Sequence, residues 1–260
     1  MDRKTDAPSA VTHARALWTE LAGVPVEFTS PAGVVVAPDS LLCPPGWAGI
    51  VRIGDAAVIT APDARRAEAM GEAARRLSYE ELVDPVRLGV ALGGTAPLLD
   101  VLGPAALGYL ERGRDSFVPA KARPEEVTGG TVERAANGTS ALDALLATVG
   151  KDDADEAGLD EITSPAFLLR EGRRGGRGEG GDVVAAAGYA AWPRSVAHLC
   201  VLVAPHHRGR GLATIVASAA VSHALDAGLL PQWRARPYSS RRVAAALGFR
   251  ELGAQLSVRI

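Results

Sequence analysis

Cysteine is scarce. Cys43 and Cys200 stand far apart in a chain of 260 residues and match no metal-ligand spacing, so no metal is expected. Cys200 falls inside an apolar strand pattern, where a buried reduced thiol is the ordinary outcome. Charge of one sign is also missing. The net charge of −2 supplies no pull toward nucleic acid or an anionic membrane, and no motif interleaves aromatic with basic residues. No apolar run reaches membrane-spanning length, and the opening MDRKTDAPSA has no apolar signal core. Together these absences read as a cytoplasmic protein with neither membrane nor nucleic acid as partner. There is no internal repeat.

What is present is a normal core-forming composition, 47% hydrophobic and 22% charged, in a chain long enough for one large domain or two modest ones. The expected division is an accessory α/β domain over residues 1–125 and a second domain over residues 126–260. In the first, VTHARALWTELAG reads as a helix stopped by Gly23, and GVVVAP as a strand. GIVRIGDAAVITAP reads as two strands around Gly54-Asp55, and DARRAEAMGEAARRLS as an amphipathic helix. ELVDPVRLGVAL and APLLDVLGPAALGYL carry further apolar pattern, and ERGRDSFVPAKARPEEVTGG resembles a linker or edge connection. No chemical motif appears in this half.

The second half is more regular. TVERAA is a strand candidate, and TSALDALLATVG a helix capped by Thr139 or Ser140 and stopped by Gly150. The acidic KDDADEAGLDE follows, then AFLLRE and DVVAAAGYAAW as a hairpin around a Gly- and Arg-rich tip read as a solvated loop. AHLCVLV is a strand, and GLATIVASAAVSHALDAG a helix with Leu212, Ile215, Val216, Ala219 and Ala220 on one face. PQWRAR, SSRRVAAALG and AQLSVRI then read as strand, helix and strand. The whole is an α/β chain with mixed sheet.

Between AHLCVLV and the long helix lies APHHRGRGLA. Helix starts favour Ser, Thr, Asp or Asn as caps and acids in the first turn. This start has Gly209 and Gly211 instead, with Arg208 and Arg210 where the helix dipole disfavours cations. Glycine permits positive φ and close approach, and a helix N-terminus aims several N–H groups at one point. A bound anion would account for both the missing cap and the misplaced cations, with charge-assisted bonds from the arginines. The alternative is an ordinary glycine-rich turn with solvated arginines. Two other phosphate loops fail on their residues. No string fits a P-loop, and a dinucleotide fingerprint from Gly209 would need glycine where Thr214 stands.

Arg208-Gly209-Arg210-Gly211-Leu212-Ala213, between strand and helix, resembles the signature of the GNAT acetyltransferase superfamily: Gln or Arg, two residues, Gly, one residue, then Gly or Ala. Downstream, SSRRVAAALGF is similar to the family's Ser-containing last helix, ending in Leu247-Gly248-Phe249. The resemblance covers roughly residues 126 to 260. The first half matches only loosely, to accessory regions of longer bacterial members.

The resemblance implies acetyl transfer from acetyl-CoA to an amine, on a small molecule or a protein. The pyrophosphate would sit on Arg208, Gly209, Arg210, Gly211, Leu212, Ala213 and Thr214. The pantetheine arm would lie beside Val201, Leu202 and Val203, between the strands AHLCVLV and PQWRAR. The family's acid tyrosine would fall at Ala244, and its usual Asn at Pro237, so Tyr238 or Ser240 is left as candidate acid, with a structural Tyr238 as the alternative. His198 is the candidate base or a structural histidine, while His206 and His207 belong to the phosphate side or to solvent. The acids Asp152, Asp153, Asp155, Glu156, Asp160 and Glu161 would attract a cationic amine or form a solvated loop. Tyr189 and Trp192 would wall that site or join the core. The missing tyrosine keeps a second class open, a non-catalytic acyl-CoA-binding or regulatory module. The oligomer, a homodimer included, is left open.

Overall fold

The computed structural model describes residues 9–111, 113–171 and 181–260. The chain folds as two compact units. The first is Met1–Glu111 with Arg234–Arg241 and Arg250–Ile260, and the second Arg112–Trp233 with Arg242–Phe249. This division differs from a single cut at 125/126, because the end of the chain returns to the first unit.

In the first unit, α1 (Ala10–Leu21) begins at Ser9, whose hydroxyl accepts the Thr12 N–H, and buries Ala14, Leu17, Trp18 and Leu21 along one face. Five strands follow the order β1-β3-β2-β10-β4: β1 (Gly33–Val36), β2 (Ala48–Ile53), β3 (Ala56–Ala61), β4 (Asp100–Tyr109) and β10 (Arg250–Arg259). Only β1 and β3 pair in parallel; the other neighbours are antiparallel. The stretch expected only as apolar pattern, APLLDVLGPAALGYL, supplies β4. Helices α2 (Ala64–Ala74, capped by Asp63) and α3 (Pro85–Leu92, capped by Asp84) bury Met70, Ala73, Leu88 and Leu92 against Ile50, Ile59, Leu256 and Val258. The Trp18 indole N–H donates to the Tyr109 hydroxyl at 2.8 Å, and both side chains are buried.

The second unit starts from a stretch expected as linker, which contains α4 (Pro124–Thr128). Its strands run in the order β9-β8-β7-β6-β5, with β5 (Val132–Ala135), β6 (Ala166–Arg170), β7 (Val183–Trp192), β8 (Val196–Val203) and β9 (Leu230–Ala235, whose last two residues count with the first unit). β5 to β8 form an antiparallel meander, and β9 joins β8 in parallel. The Gly- and Arg-rich tip of the β6–β7 hairpin lies outside the described residues. KDDADEAGLDE is no loop: it begins with α6 (Lys151–Ala157), an acidic helix after α5 (Ser140–Leu146). Leu142, Leu145, Ala157, Leu159 and Ile162 pack on one face of the meander, against Leu168, Ala186, Cys200 and Leu202. Helix α7 (Leu212–Asp226) lies against β6, β7 and β8, burying Leu212, Ile215, Val216, Ala217, Ala220, Val221 and Ala224.

The last helix, α8 (Tyr238–Ala246), is shared between the two units. It ends on Leu247-Gly248-Phe249 for a steric reason. Gly248 has φ +91°, and a Cβ there would stand 1.9 Å from the carbonyl oxygen of Ser116. The Val118 N–H donates to Leu247 C=O, and Phe249 meets Trp233 edge-on.

Candidate functional site

Strand β8 carries the centre of the candidate site. On its β7 side the antiparallel register runs unbroken from Val196↔Trp192 to Val203↔Ala185. On its β9 side the parallel register covers only Val196↔Leu230, Ala197↔Pro231 and His198↔Gln232. From Leu199 to Val203 the backbone groups directed away from β7 therefore lie outside that ladder. Val201 and Val203 are half-buried and Leu202 is buried.

Two buried polar side chains stand where the ladder ends. His198 Nδ1 lies 2.5 Å from Gln232 Oε1, and the Trp192 indole stacks on the imidazole at 4.1 Å between centroids and 14° between planes. Strand alternation puts His198 on the same face as Cys200 and Leu202, the face covered by α5 and α6. Gln232 has no exposed surface, and its Nε2 has no partner among the described hydrogen bonds. Sequence pattern assigned Gln232 no role; its one signal was a polar residue inside the apolar LLPQW. Tyr189 points elsewhere. Its hydroxyl meets His223 Nδ1 at 3.0 Å, and Phe167 tilts against the same imidazole on the α7 side, so Tyr189 belongs to the core. Burial raises its phenol above the usual range.

The strand-to-helix turn follows at the far end of β8. Pro205–His207 form a single 3-10 turn, Gly209 and Gly211 have φ of 78° and 80°, and Gly211 caps α7 without a side-chain bond. No described hydrogen bond uses the N–H of Gly209, Arg210, Gly211, Leu212 or Ala213. The Thr214 N–H is turned inward to Gly211 C=O. A left-handed conformation at two nearby positions is what swings successive N–H groups to one side.

The arginines of this turn already have partners within the chain. Arg208 donates to Asp153 Oδ2 at 2.7 Å through one terminal nitrogen and to Val203 C=O at 3.2 Å through Nε. Arg210 donates to His207 Nδ1 at 2.9 Å and Val127 C=O at 2.8 Å, with Glu171 at 3.5 Å. Glu171 also lies 3.8 Å from His207 Nδ1. His206 is exposed. Two of the acids expected at an amine site form ion pairs within the chain: Asp153 with Arg208, and Asp155 with Lys151 at 2.6 Å.

Tyr238 and Ser240 open α8, in the segment that clusters with the first unit; Tyr238 is 72% exposed. Ala244, where the resemblance wants a tyrosine, is buried and carries no hydroxyl. Among the described residues no three His, Cys, Asp or Glu side chains converge as a metal site, and no helix is long and apolar enough to cross a membrane. Burial pushes the Cys43 thiol up to about 11, away from nucleophilic use.

Residues 176–254 match the family model for GNAT acetyltransferases. Among solved structures the chain is similar to a GCN5-related N-acetyltransferase from Kribbella flavida, at 12% identity over 97% of this chain and 96% of that one, with a TM-score of 0.52. It is also similar to a GCN5-related N-acetyltransferase-like protein from Streptococcus suis (17% identity, 98% and 94% covered, TM-score 0.45). A third is a GNAT-family acetyltransferase from Colwellia psychrerythraea (16% identity, 65% and 60% covered, TM-score 0.42), of which the chain spans three fifths. No curated protein matches. The Kribbella likeness carries the α/β fold across nearly the whole chain, and the match to the GNAT acetyltransferase family model lies within it at residues 176–254.

Proposed function

We propose that this protein moves the acetyl group of acetyl-CoA to an amine. The observation that carries the reading is the geometry along β8. A parallel ladder stops at His198↔Gln232, and the strand then runs into a turn with five consecutive N–H groups left without acceptors among the described hydrogen bonds. A long thioester whose pantetheine arm leads to a pyrophosphate fits such a track. Its peptide-like arm would pair with backbone at Val201, Leu202 and Val203, and its phosphates would take the N–H groups from Gly209 to Ala213. Arg208 and Arg210 would add charge-assisted bonds after exchanging Asp153 and Glu171 for phosphate.

In this reading the acceptor amine loses a proton to His198 and its nitrogen attacks the thioester carbon. The carbon–sulfur bond then breaks, and the departing thiolate takes a proton from Tyr238, from Ser240 or from water. One backbone N–H of β8 would polarise the carbonyl. A second reading rests on Ala244: with no hydroxyl at that position, the domain would bind acyl-CoA without turning it over. Consumption of acetyl-CoA across a panel of small amines and amine-bearing peptides separates the two.

Binding itself is tested by thermal unfolding. At about a hundred times its dissociation constant a ligand contributes roughly 2.7 kcal/mol. A chain of this size gains about 2 to 4 °C per kcal/mol. Coenzyme A should therefore raise the midpoint by about 5 to 11 °C, and pantetheine, which lacks the pyrophosphate, by far less. Equal effects of the two would remove the phosphate turn from the site.

A further inference from the structure

Strand β1 is the edge of the sheet in the first unit, and it carries none of the devices that keep an edge from pairing. It reads Gly33-Val34-Val35-Val36, without charge, proline or bulge, and its one strand partner among the described residues is β3. The outer strand of the second unit, β5, is built the other way. There Glu133 and Arg134 are exposed, and Arg170 pairs with Glu133 at 3.0 Å.

The open side of β1 has a defined hydrogen-bonding phase. The Ala37 N–H donates to Ala61 C=O at 2.8 Å, and the parallel register sets Val36 beside Ala61. Backbone groups alternate in direction along a strand. Those of Val35 therefore face β3, and the N–H and C=O groups of Val34 and Val36 face the open edge. No described hydrogen bond uses them. Next to this edge, between β1 and α2, runs a groove of about 560 Å³. Ala32 and Val34 line it from the strand side, and Ala67 and Gly71 from the helix side, where small side chains leave the room. Glu68 and Arg75 also line it, so its walls carry one acid and one base and no net charge that would repel an identical surface. Val36 projects to the same side of the sheet as Val34 and is 41% exposed.

We propose that β1 pairs with β1 of a second copy of this chain, antiparallel about a two-fold axis at Val35. The axis sets Val34 opposite Val36 of the other copy, so that the outward residues exchange both N–H···O=C bonds on each side of it. Val36 of each copy then enters the groove of the other beside Val34, over Ala67 and Gly71. A two-fold contact uses one patch twice and needs that patch to complement itself. This edge does so, since it holds both a protruding valine and the recess that takes one. That is the reason for choosing a second copy over a foreign strand. The inference is independent of the acetyl-transfer reading.

The test is sedimentation of the full-length protein over a range of concentrations, with amide hydrogen exchange of Val34 and Val36 followed over the same range. The expected result is a monomer–dimer equilibrium in which both amides exchange slowly in the dimer and quickly once dilution dissociates it. Val36→Pro removes an N–H that faces the open edge, where a strand tolerates proline. It deletes one bond of each pair and should raise the dimer dissociation constant about tenfold or more, with an unchanged far-UV circular dichroism spectrum. A protein that stays monomeric at every concentration overturns the proposal. So does a dimer whose Val34 and Val36 amides exchange as fast as in the monomer, or a folded Val36→Pro protein that dimerises as wild type does. If Val36→Pro does not fold, the exchange of the two amides in the wild-type dimer decides alone.

Discussion

Replacing Asp153 with asparagine should make coenzyme A bind more tightly. The carboxylate sits 2.7 Å from the Arg208 guanidinium, and the two side chains are 51% and 48% exposed. At that exposure an ion pair contributes about 0.2 to 1 kcal/mol. A phosphate that takes over Arg208 must first displace this partner, so its removal returns up to that amount to binding. The expected change is at most about fivefold in the dissociation constant. Arg208 should not collapse, because its Nε–H remains on Val203 C=O. Asp153 also lies in the first turn of α6, where an acid suits the helix dipole, so the variant should lose about 0.3 to 1 kcal/mol of stability while gaining affinity. Calorimetric titration of coenzyme A into both proteins measures the effect. Repeating it at about 1 M salt, where the Debye length falls to about 3 Å, should shrink the difference. Equal or weaker binding by Asp153→Asn at low salt would mean that Asp153 holds Arg208 in place rather than competing for it.

Two further outcomes concern the scaffold. Gly248→Ala forces φ +91° on a residue with a Cβ and drives that atom onto Ser116 C=O, so it should cost more than about 2 kcal/mol; a denaturation midpoint equal to wild type would refute the steric reading of the Leu-Gly-Phe corner. Tyr109→Phe removes the hydroxyl that accepts the Trp18 indole N–H in the core of the first unit and should cost about 1 to 2 kcal/mol by chemical denaturation. No loss there would show that the indole is satisfied without the tyrosine.

Most elements of the chain were legible because they follow local periodicity. The strands GIVRIG and AAVITA flank a two-residue turn with Gly54 at positive φ, and the long helix stops at Gly228, also at positive φ. Elements with little local signal were missed. KDDADEAGLDE looks like a charged loop because its first turns bury almost nothing; α6 gains its place from Ala157 and Leu159 at its end and from Asp153 reaching Arg208. The return of β10 between β2 and β4 is invisible locally, since no periodicity reports which distant strand a segment joins. The same holds for the site. The turn at Gly209 and Gly211 announces itself by what it lacks, whereas Gln232 and His198 become a pair only through a parallel register set across thirty-four residues of sequence.

The acidic helix and the basic turn are then one feature rather than two. Arg208 and Arg210 stand where a helix dipole should repel them, and the chain holds them there with Asp153 from α6 and Glu171 from the end of β6. These anions reach the guanidinium groups, and none of the described hydrogen bonds carries them to the N–H groups of residues 209 to 213. Half of the electrostatic problem is thus solved internally, with exposed carboxylates whose attraction is weak. The other half, five N–H donors at a helix start, is left to solvent or ligand. A pyrophosphate with its two negative charges would satisfy both halves at once, which the side-chain carboxylates do not. Preorganised arginines held by weak, displaceable partners lose little freedom on binding, and that favours exchange of Asp153 and Glu171 for a phosphate over a rigid, permanently closed turn.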